Sequence, residues 1–207
     1  MKRNYLSMAG IIGITLFAAS CTKEPLNHIT PEESRIYITD YDSSVNFSSF
    51  KTYSISDSVA VISNSANPKE RSATDEAYIN AVKKYMAAGG YLLVNKDQSP
   101  DIGINVSRIY STSTGIVSYN NYYNYWDPFY WGYSGYSYYV PYSYGVYQVT
   151  EGLVSIDMFD LKDAASSGKI NLIWNGLVRG EGIFSTVNAD AGVQALFGQS
   201  PYLQTAQ

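Results

Sequence analysis

Several short segments alternate apolar and polar residues, which predicts the strands of a β-sheet. The clearest lies at residues 101–107, where Ile102, Ile104 and Val106 share one face and small or polar residues share the other. Successive side chains of a strand point to opposite faces, so this pattern predicts an antiparallel sheet with one lightly covered face. The other predicted strands cover residues 35–41, 51–55, 91–94, 153–158 and 170–178.

One helix is predicted by apolar residues with a helical period. The stripe consists of Tyr78, Ile79, Val82, Tyr85 and Met86. Ser72 or Thr74 can cap its first turn, and Gly89 with Gly90 supplies a left-handed stop. Residues 56–70 show no pattern and are expected to form a polar loop.

A shorter second helix is predicted from a cap at Asn188 to Gly198. The strand before it carries Ile170, Leu172, Trp174 and Val178 on one predicted face, which places Trp174 in the core. The resulting order is β-β-α-β-β, an aromatic insert, then β-β-α. That order predicts an α+β domain with a largely antiparallel sheet and two helices packed on one side.

The insert, residues 119–147, holds twelve tyrosines, two tryptophans and Phe129 among Gly, Ser, Asn and two prolines. Tyrosine combines an apolar ring with a polar tip, and large exposed apolar patches mark interaction sites. The functional interpretation is that the insert stacks on sugar rings or binds another envelope protein. The alternative is a low-complexity hairpin that pads the sheet without a specific ligand. The candidate ligand-binding residues are Tyr122, Tyr125, Trp126, Tyr130 and Trp131.

The first 20 residues have the pattern of a secretory signal peptide. Lys2 and Arg3 precede an apolar run from Met8 to Phe17, and small residues follow. The run is shorter than the roughly 20 apolar residues that span a bilayer as a helix. We therefore expect an exported precursor that is cleaved before Cys21.

The stretch Leu16–Cys21 resembles a bacterial lipobox, with Ala18 where the motif usually has Leu. The resemblance implies that Cys21, the only cysteine, becomes an acylated first residue, with fatty acyl chains such as palmitate buried in the membrane. The expected location is the bacterial cell envelope, most readily the outer membrane, with its periplasmic or surface face left open. An ordinary secreted protein with an incidental cysteine is the alternative.

The predicted organisation is a signal peptide (1–20), a lipidated tether (21–34), one α+β domain (35–200) and a tail (201–207). Without the signal peptide, 12 basic residues face 18 acidic ones, because two of the 14 basic residues lie in the signal. A basic stripe is absent from the sequence, so no nucleic-acid partner is expected. Charged residues make up 15% of the chain against an average near 25%, which suits an envelope protein.

The order of several motifs resembles an envelope lipoprotein family known as domain of unknown function 4136. The motifs are Asp40-Tyr41, Phe47–Tyr53, Gly89-Gly90-Tyr91, the aromatic insert, Gly152, Ile156-Asp157, Asp160 and Leu172–Gly176. The chain has Asn46 where the family often has Asp, and a longer loop at 162–169. The resemblance covers nearly the whole mature chain and implies a small envelope domain without an established activity.

The sequence lacks a recognisable catalytic, cofactor or metal motif. The only histidine, His28, lies in the tether. Asp157 and Asp160 stand three apart on a strand, so they point to opposite faces unless the strand bulges. We expect a non-catalytic module without a cofactor. The alternatives are a glycan-processing enzyme using Asp157 with a partner carboxylate, and a divalent-metal site of Asp157, Asp160 and Asp163.

Two further acidic residues share a face near the end of the first strand. Asp40 and Asp42 run into a turn, where Asp is favoured because its side chain bonds the local backbone. We therefore expect a turn role for this pair and no catalytic role.

Overall fold

A computed structural model describes residues 30, 33–62, 69–70, 72–110, 116–117, 128–140, 147–148 and 152–205. Nine strands of this part of the chain form one sheet, and two more form a separate pair. The eleven strands are β1 (Ile36–Tyr41), β2 (Thr52–Ile55), β3 (Val59–Ile62), β4 (Lys69–Glu70), β5 (Leu92–Leu93), β6 (Ile102–Ile109), β7 (Ile116–Val117), β8 (Ser137–Tyr139), β9 (Tyr147–Gln148), β10 (Leu153–Asp160) and β11 (Lys169–Arg179).

The main path through the large sheet is β1-β11-β10-β6-β2-β5, and β7 pairs with β9 apart from it. The neighbours β1, β11, β10 and β6 are antiparallel, whereas β2 runs parallel to both β6 and β5. The α+β class is confirmed, but the sheet is mixed. A helix lies between β2 and β5 along the chain, and such a crossover returns the chain to the same end of the sheet, which makes the strands parallel.

The described helices are α1 (Ala73–Ala88), α2 (Ala164–Ser167) and α3 (Thr186–Gly198). The predicted start of α1 is confirmed: the Ser72 side chain accepts from the Asp75 amide, and the Asp75 carboxylate bonds back to Ser72. Helix α3 begins after Ser185 instead of at the predicted Asn188. The side-chain amide of Asn188 donates to the Gly182 carbonyl at 2.9 Å, and this hydrogen bond stabilises the loop that precedes the helix.

The polar loop predicted for residues 56–70 is wrong in part, because it contains strands β3 and β4. Strand β3 pairs in parallel with β6, and Val59 is buried in the core. Val59–Ile62 is a run of four apolar residues without alternation, so the search for a two-residue period did not find it.

Helices α1 and α3 pack on the same face of the sheet, which we call the helix face. Its core joins Ile102, Ile104 and Val106 of β6 to Val154, Ile156 and Met158 of β10. Trp174 is buried there, and its indole N–H donates to the Ser200 hydroxyl at 2.9 Å. This part of the core is continuous aliphatic surface.

Trp174 does not share a face with Ile170 and Leu172 as the alternation predicted. Ile170 and Leu172 belong to the core on the other face, while Ile173 and Trp174 both belong to the helix face. The reason is a β-bulge: Phe159 pairs with Leu172 and Met158 with Trp174, which leaves Ile173 as an extra residue.

The C-terminal residues pack on the helix face, although the sequence suggested a tail from residue 201. Leu203 is buried in the core, Tyr202 stacks on Tyr41 at 4.2 Å, and the Thr205 amide donates to the Gly89 carbonyl. The described domain therefore continues to Thr205. Among the described residues, no helix has the length and apolarity needed to cross a membrane.

The opposite face of the sheet, which we call the insert face, is also buried. Gly103, Asn105 and Ser107 of β6 were expected to lie on a lightly covered face, but all eight residues of β6 are buried. The core on this side includes residues of the insert together with residues of the strands. Its members are Ile109, Trp131, Leu153, Phe159, Leu161, Ala164, Ile170, Leu172 and Leu177.

Candidate functional site

The described part of the insert, residues 128–140, folds back onto the insert face. Of the five predicted ligand-binding residues, Tyr130 and Trp131 lie here, in a short 3-10 helix from Pro128 to Trp131. The other three are Tyr122, Tyr125 and Trp126, which lie outside the described residues together with Cys21 and His28.

Trp131 is an anchor of the insert and not an exposed platform. Its side chain is 5% exposed, and its indole lies directly over Gly103 of β6. A Cβ atom at Gly103 would stand 3.1 Å from Cε2 of Trp131 and 2.9 Å from Cδ1 of Leu161. The absent side chain at Gly103 therefore makes the close approach of the indole possible.

Two tyrosines attach the same segment to the sheet. The Tyr133 hydroxyl donates to the Leu161 carbonyl at 2.8 Å, and the ring of Tyr138 packs 4.8 Å from that of Phe159. Strand β8 adds three backbone pairs with the start of β11. Burial of Tyr133 raises the pKa of its hydroxyl, so this hydroxyl stays protonated and remains a donor.

Tyr130 is half-buried, and its contacts include Trp131, Lys96 and Asp57. Its ring meets Trp131 edge-on at 4.8 Å, and Lys96 Nζ lies 4.3 Å from its centroid. Its hydroxyl accepts from the Asp57 amide at 3.2 Å. Burial is the main cause that raises the pKa of this hydroxyl. The ring is therefore held in one orientation, with a cation against its face.

Two aromatic side chains of the described insert remain largely exposed. Phe129 is 68% exposed, and Tyr139 is 46% exposed with Lys169 Nζ 3.8 Å from its ring centroid. Since Trp131 anchors the segment, these two rings are held at the surface by a fixed neighbour. They form the aromatic surface that the described residues offer to solvent.

A row of polar residues crosses the insert face at one level of the sheet. Asp40 pairs with Asn175, Asn175 with Asp157, and Asp157 with Asn105, so the row spans β1, β11, β10 and β6. We call these four residues the polar row. Asp40 is half-buried on the outer strand, while the other three are at most 1% exposed.

The middle of the polar row is tightly hydrogen-bonded. Asn175 Nδ2 donates to Asp157 Oδ1 at 2.6 Å and to the Ser155 hydroxyl at 2.9 Å. The Ser155 hydroxyl donates to the same Asp157 oxygen at 3.2 Å. A buried carboxyl group is costly without hydrogen bonds, and these contacts satisfy Asp157 Oδ1.

Several buried polar atoms along the row and beside it make no hydrogen bond to the described part of the chain. They are both carboxamide atoms of Asn105, which is 0% exposed, together with Asn175 Oδ1 and Trp131 Nε1. Burying such a group without a partner costs about 1–3 kcal/mol, so native proteins rarely leave several of them on one surface. This concentration of unsatisfied atoms makes the polar row the candidate site.

The structure separates Asp157 from the other two predicted acidic residues, Asp160 and Asp163. Asp157 bonds Asn175 and Ser155, whereas Asp160 accepts from the Asp163 amide at 3.0 Å. Burial raises the pKa of the Asp160 carboxyl, and backbone donors partly oppose this. Within the described ranges, no group of three or more His, Cys, Asp or Glu residues is placed to hold a metal ion.

Asp40 and Asp42 have different surroundings, because strand β1 ends between them at Tyr41. Asp42 accepts from the amide and the hydroxyl of Ser44, at 2.9 and 2.6 Å, which is the local turn that its position suggested. Asp40 instead belongs to the polar row through its register with Asn175.

Sequence reasoning missed Asn105 and Asn175 as site residues. A usable pattern was present, because Asn105 and Ser107 on β6 alternate in phase with Ser155 and Asp157 on β10. Polar residues in phase on adjacent strands indicate either a wet face or a buried polar centre. The pattern alone favoured a wet or lightly covered face, because nothing in it showed that the insert would cover these strands.

A second polar cluster, on the helix face, is fully paired. Arg108 donates from Nε and Nη2 to the two carboxylate oxygens of Asp75, at 2.6 and 3.1 Å, and from Nη1 to the Tyr110 hydroxyl. Asp75 also caps α1, so this bidentate pair joins the helix to β6. A nearby open cavity of about 560 Å³, lined by residues 180–185, presents mainly loop backbone.

Comparisons with known proteins agree with the fold. The family model described as domain of unknown function (DUF4136) matches residues 38–202. The crystal structure of a DUF4136 family protein from Bacteroides thetaiotaomicron VPI-5482 is similar at 30% identity with a TM-score of 0.70, covering 83% of this chain and 98% of that one.

A PDZ domain protein from Parabacteroides distasonis ATCC 8503 is far more distant. It has 12% identity and a TM-score of 0.41, covering 82% of this chain and 36% of its own. No curated protein matches the chain significantly.

Proposed function

We propose that this chain, which belongs to the family described as domain of unknown function (DUF4136), is a non-catalytic binding module of the bacterial envelope. Its ligand is a glycan, bound through the aromatic surface of the insert. The observation that carries the proposal is the pairing of a buried anchor, Trp131, with the exposed rings of Phe129 and Tyr139. A buried anchor holds the exposed rings in place, so a ligand loses less entropy in ordering them.

The chemistry around the exposed rings favours a sugar. Tyr139 contacts Lys169, and Tyr130 contacts Lys96. Each aromatic ring therefore lies next to an ammonium group that can donate hydrogen bonds. Binding sites for small polar molecules combine such apolar walls with a few polar groups. An envelope protein is the other partner that this surface could accept, and the experiment below separates the two.

The non-catalytic part of the proposal rests on the carboxylates. A glycosidase needs two carboxyl groups that flank the scissile bond and reach substrate. Asp157 is 0% exposed and bonded to Asn175 and Ser155, so its carboxyl group is not presented to a substrate at the surface. The polar row therefore gives the alternative, a glycan-processing enzyme, no support.

The membrane anchor is a further part of the proposal. Cys21 carries the lipid, and residues 22–34 connect it to the domain. Metabolic labelling with an alkyne fatty acid tests this point. We expect label on the wild-type protein and none on Cys21→Ser, with Ser20→Ala as the control that keeps the cysteine. Equal labelling of wild type and Cys21→Ser would exclude this anchor.

The glycan is tested by pull-down from solubilised bacterial envelopes with the full chain. Deleting residues 119–147 would remove Trp131 and uncover the core, so single side chains are changed instead. The test variant is Phe129→Ser with Tyr139→Ser. The matched control is Leu92→Ser with Val187→Ser, which also removes two exposed apolar side chains but lies outside the insert.

The expected result is an envelope polysaccharide that wild type and control retain and the test variant loses. Retention of a protein with the same dependence would replace the glycan with an envelope protein as partner. Identical retention by all three chains would contradict the proposal, because Phe129 and Tyr139 would then have no part in binding.

A further inference from the structure

We propose that the polar row, together with Trp131, forms a separate, internal binding site for a small neutral molecule with neighbouring hydroxyl groups, such as a sugar or polyol. The residues that bind it are Asn105, Asn175 and Trp131. This site is distinct from the exposed surface of Phe129 and Tyr139, and it does not depend on what that surface binds.

The first step is the placement of the unsatisfied atoms. Asn105 follows Gly103 on the same face of β6, and the Trp131 indole lies over Gly103. Alternate residues of a strand are separated by about 6.5 Å on the same face, so the Trp131 indole and the Asn105 carboxamide occupy neighbouring positions. Asn175 lies two strands away, beyond Asp157. The unsatisfied atoms therefore all lie on the insert face, along the polar row and next to it.

The second step is the chemistry of those atoms. Asn105 Nδ2 and Trp131 Nε1 are donors, while Asn105 Oδ1 and Asn175 Oδ1 are acceptors. A cation would satisfy the acceptors alone, and an anion would meet the carboxylate of Asp157. Hydroxyl groups both donate and accept, so a molecule with neighbouring hydroxyls is the class that can satisfy all four atoms.

The third step is the apolar surroundings. Trp131, Phe159 and Tyr138 provide aromatic surface on the insert face, and Leu177 and Ile38 flank the row on the same side. A few fixed polar groups within such walls are typical of sites for small ligands. A carbohydrate ring presents apolar C–H faces as well as hydroxyl edges, which suits this combination better than a fully polar ligand.

Entry requires the insert segment to move, because Asn105 is fully buried. Its described attachments are three backbone pairs of β8, the Tyr133 hydroxyl, the packing of Tyr138 and Tyr139 on Phe159 and Lys169, and the contacts of Tyr130 and Trp131. Gly132 and Gly135 both have positive φ, at 88° and 79°. Glycine reaches both signs of φ at low cost, so these two positions are the hinges of the motion.

The test is isothermal titration calorimetry of the full-length protein in a detergent without a sugar headgroup. The probes are D-glucose, N-acetyl-D-glucosamine and myo-inositol, each titrated separately. We expect at least one of them to bind with one-site saturation. Asn105→Leu, which keeps the size of the side chain and removes its hydrogen bonds, should weaken that binding by about tenfold or more.

Two control variants locate the site. Asn188→Ala removes an asparagine far from the row and should leave the affinity unchanged. Phe129→Ser is titrated as well, because a probe whose binding depends on Phe129 lies on the proposed glycan surface and not at this site. If Asn105→Leu does not fold, as judged by circular dichroism, Asn105→Ala replaces it, because a smaller side chain cannot clash.

Three results would overturn the proposal: no binding of any probe to the wild type, binding that Asn105→Leu retains, or binding that Phe129→Ser removes. The first two would assign the unsatisfied atoms to bound water. The third would place the probe on the exposed rings.

Discussion

Both faces of the sheet are buried along the same three long strands, yet their polar groups are arranged in opposite ways. On the helix face the buried ion pair of Asp75 with Arg108 is bidentate. On the insert face, Asn105 lies buried and its carboxamide has no hydrogen-bond partner among the described residues. Stability alone selects the first arrangement and acts against the second.

This difference indicates that ligand binding is to be expected on the insert face. The helix face contains aliphatic residues, two helices and a C-terminal segment that close it against water, and each feature there increases stability. The insert face keeps a destabilising group at its centre, and residues 128–140 pack on it. Sites that violate packing rules in a native protein are the best candidates for ligand contacts.

The largest loss of stability is expected when the buried ion pair of the helix face is broken. Asp75→Ala removes both hydrogen bonds to Arg108 and the Asp75 half of the α1 capping box, and it leaves a buried guanidinium without its carboxylate. We expect the free energy of unfolding to fall by about 3–5 kcal/mol, measured by urea denaturation with circular dichroism.

The control for Asp75→Ala is Asp190→Ala, which breaks the pair of Asp190 with Lys84 at 2.8 Å. Both side chains of that pair are more than half exposed. A much smaller loss is therefore expected there. A loss of equal size from both variants would show that burial does not decide the strength of these pairs.

The second prediction compares two asparagines of the polar row. Asn175→Leu removes the donors to Asp157 and Ser155 and leaves a buried carboxylate with less support, so we expect a loss of about 1–3 kcal/mol. Asn105→Leu removes a group without hydrogen bonds, and without ligand it should be neutral or stabilise by about 1 kcal/mol. Urea denaturation of both variants measures the contrast. Equal losses would mean that Asn105 is satisfied in solution.

Much of the helix face could be predicted from the sequence. The stripe from Tyr78 to Met86, with a cap before it and glycines after it, marks α1 by local rules alone. Alternation identified the strands that carry Ile104 and Ile156. These patterns depend on neighbours in the chain, which is why they can be read before the fold is known.

The insert face could not be predicted in the same way, because its features depend on distant pairings. The bulge at Ile173 reverses the face of Trp174 relative to Leu172, and nothing in the local sequence shows it. Whether Asn105 is wet or buried depends on a segment more than twenty residues away. The register that aligns Asn105, Asp157 and Asn175 exists only in the folded sheet.

The third prediction concerns the contact that joins insert and sheet. In Gly103→Ala the new Cβ would lie 2.9 Å from Leu161 and 3.1 Å from Trp131. Both side chains must shift, so we expect a loss of about 1 kcal/mol and a change in the tryptophan fluorescence of the folded protein.

Gly198→Ala is the control for Gly103→Ala, because nothing lies within 4 Å of its Cβ position at the end of α3. Alanine there should stabilise by a few tenths of a kcal/mol up to about 1 kcal/mol. If Gly103→Ala behaved in the same way, the insert would not pack on β6 as described.

The smallest effect is a pH dependence at the edge of the sheet, where β10 ends. Burial raises the pKa of the Asp160 carboxyl in the folded state, while the unfolded chain ionises in the ordinary range. Between those two pKa values the folded state holds more protons, so stability is lost as the pH rises through this window. Above the window the cost of the buried charge is constant.

Asp160→Asn keeps the oxygen that accepts from the Asp163 amide and removes the charge. Its gain over wild type should therefore be largest near neutral pH and shrink as the pH falls, by no more than about 1.4 kcal/mol per pH unit. Urea denaturation from about pH 7 to about pH 3.5 measures this difference. Asn188→Ala, which changes no titratable group, should differ from wild type by a constant amount over the same range. A gain for Asp160→Asn that grows on acidification would reverse the sign and show that the folded state stabilises the Asp160 charge.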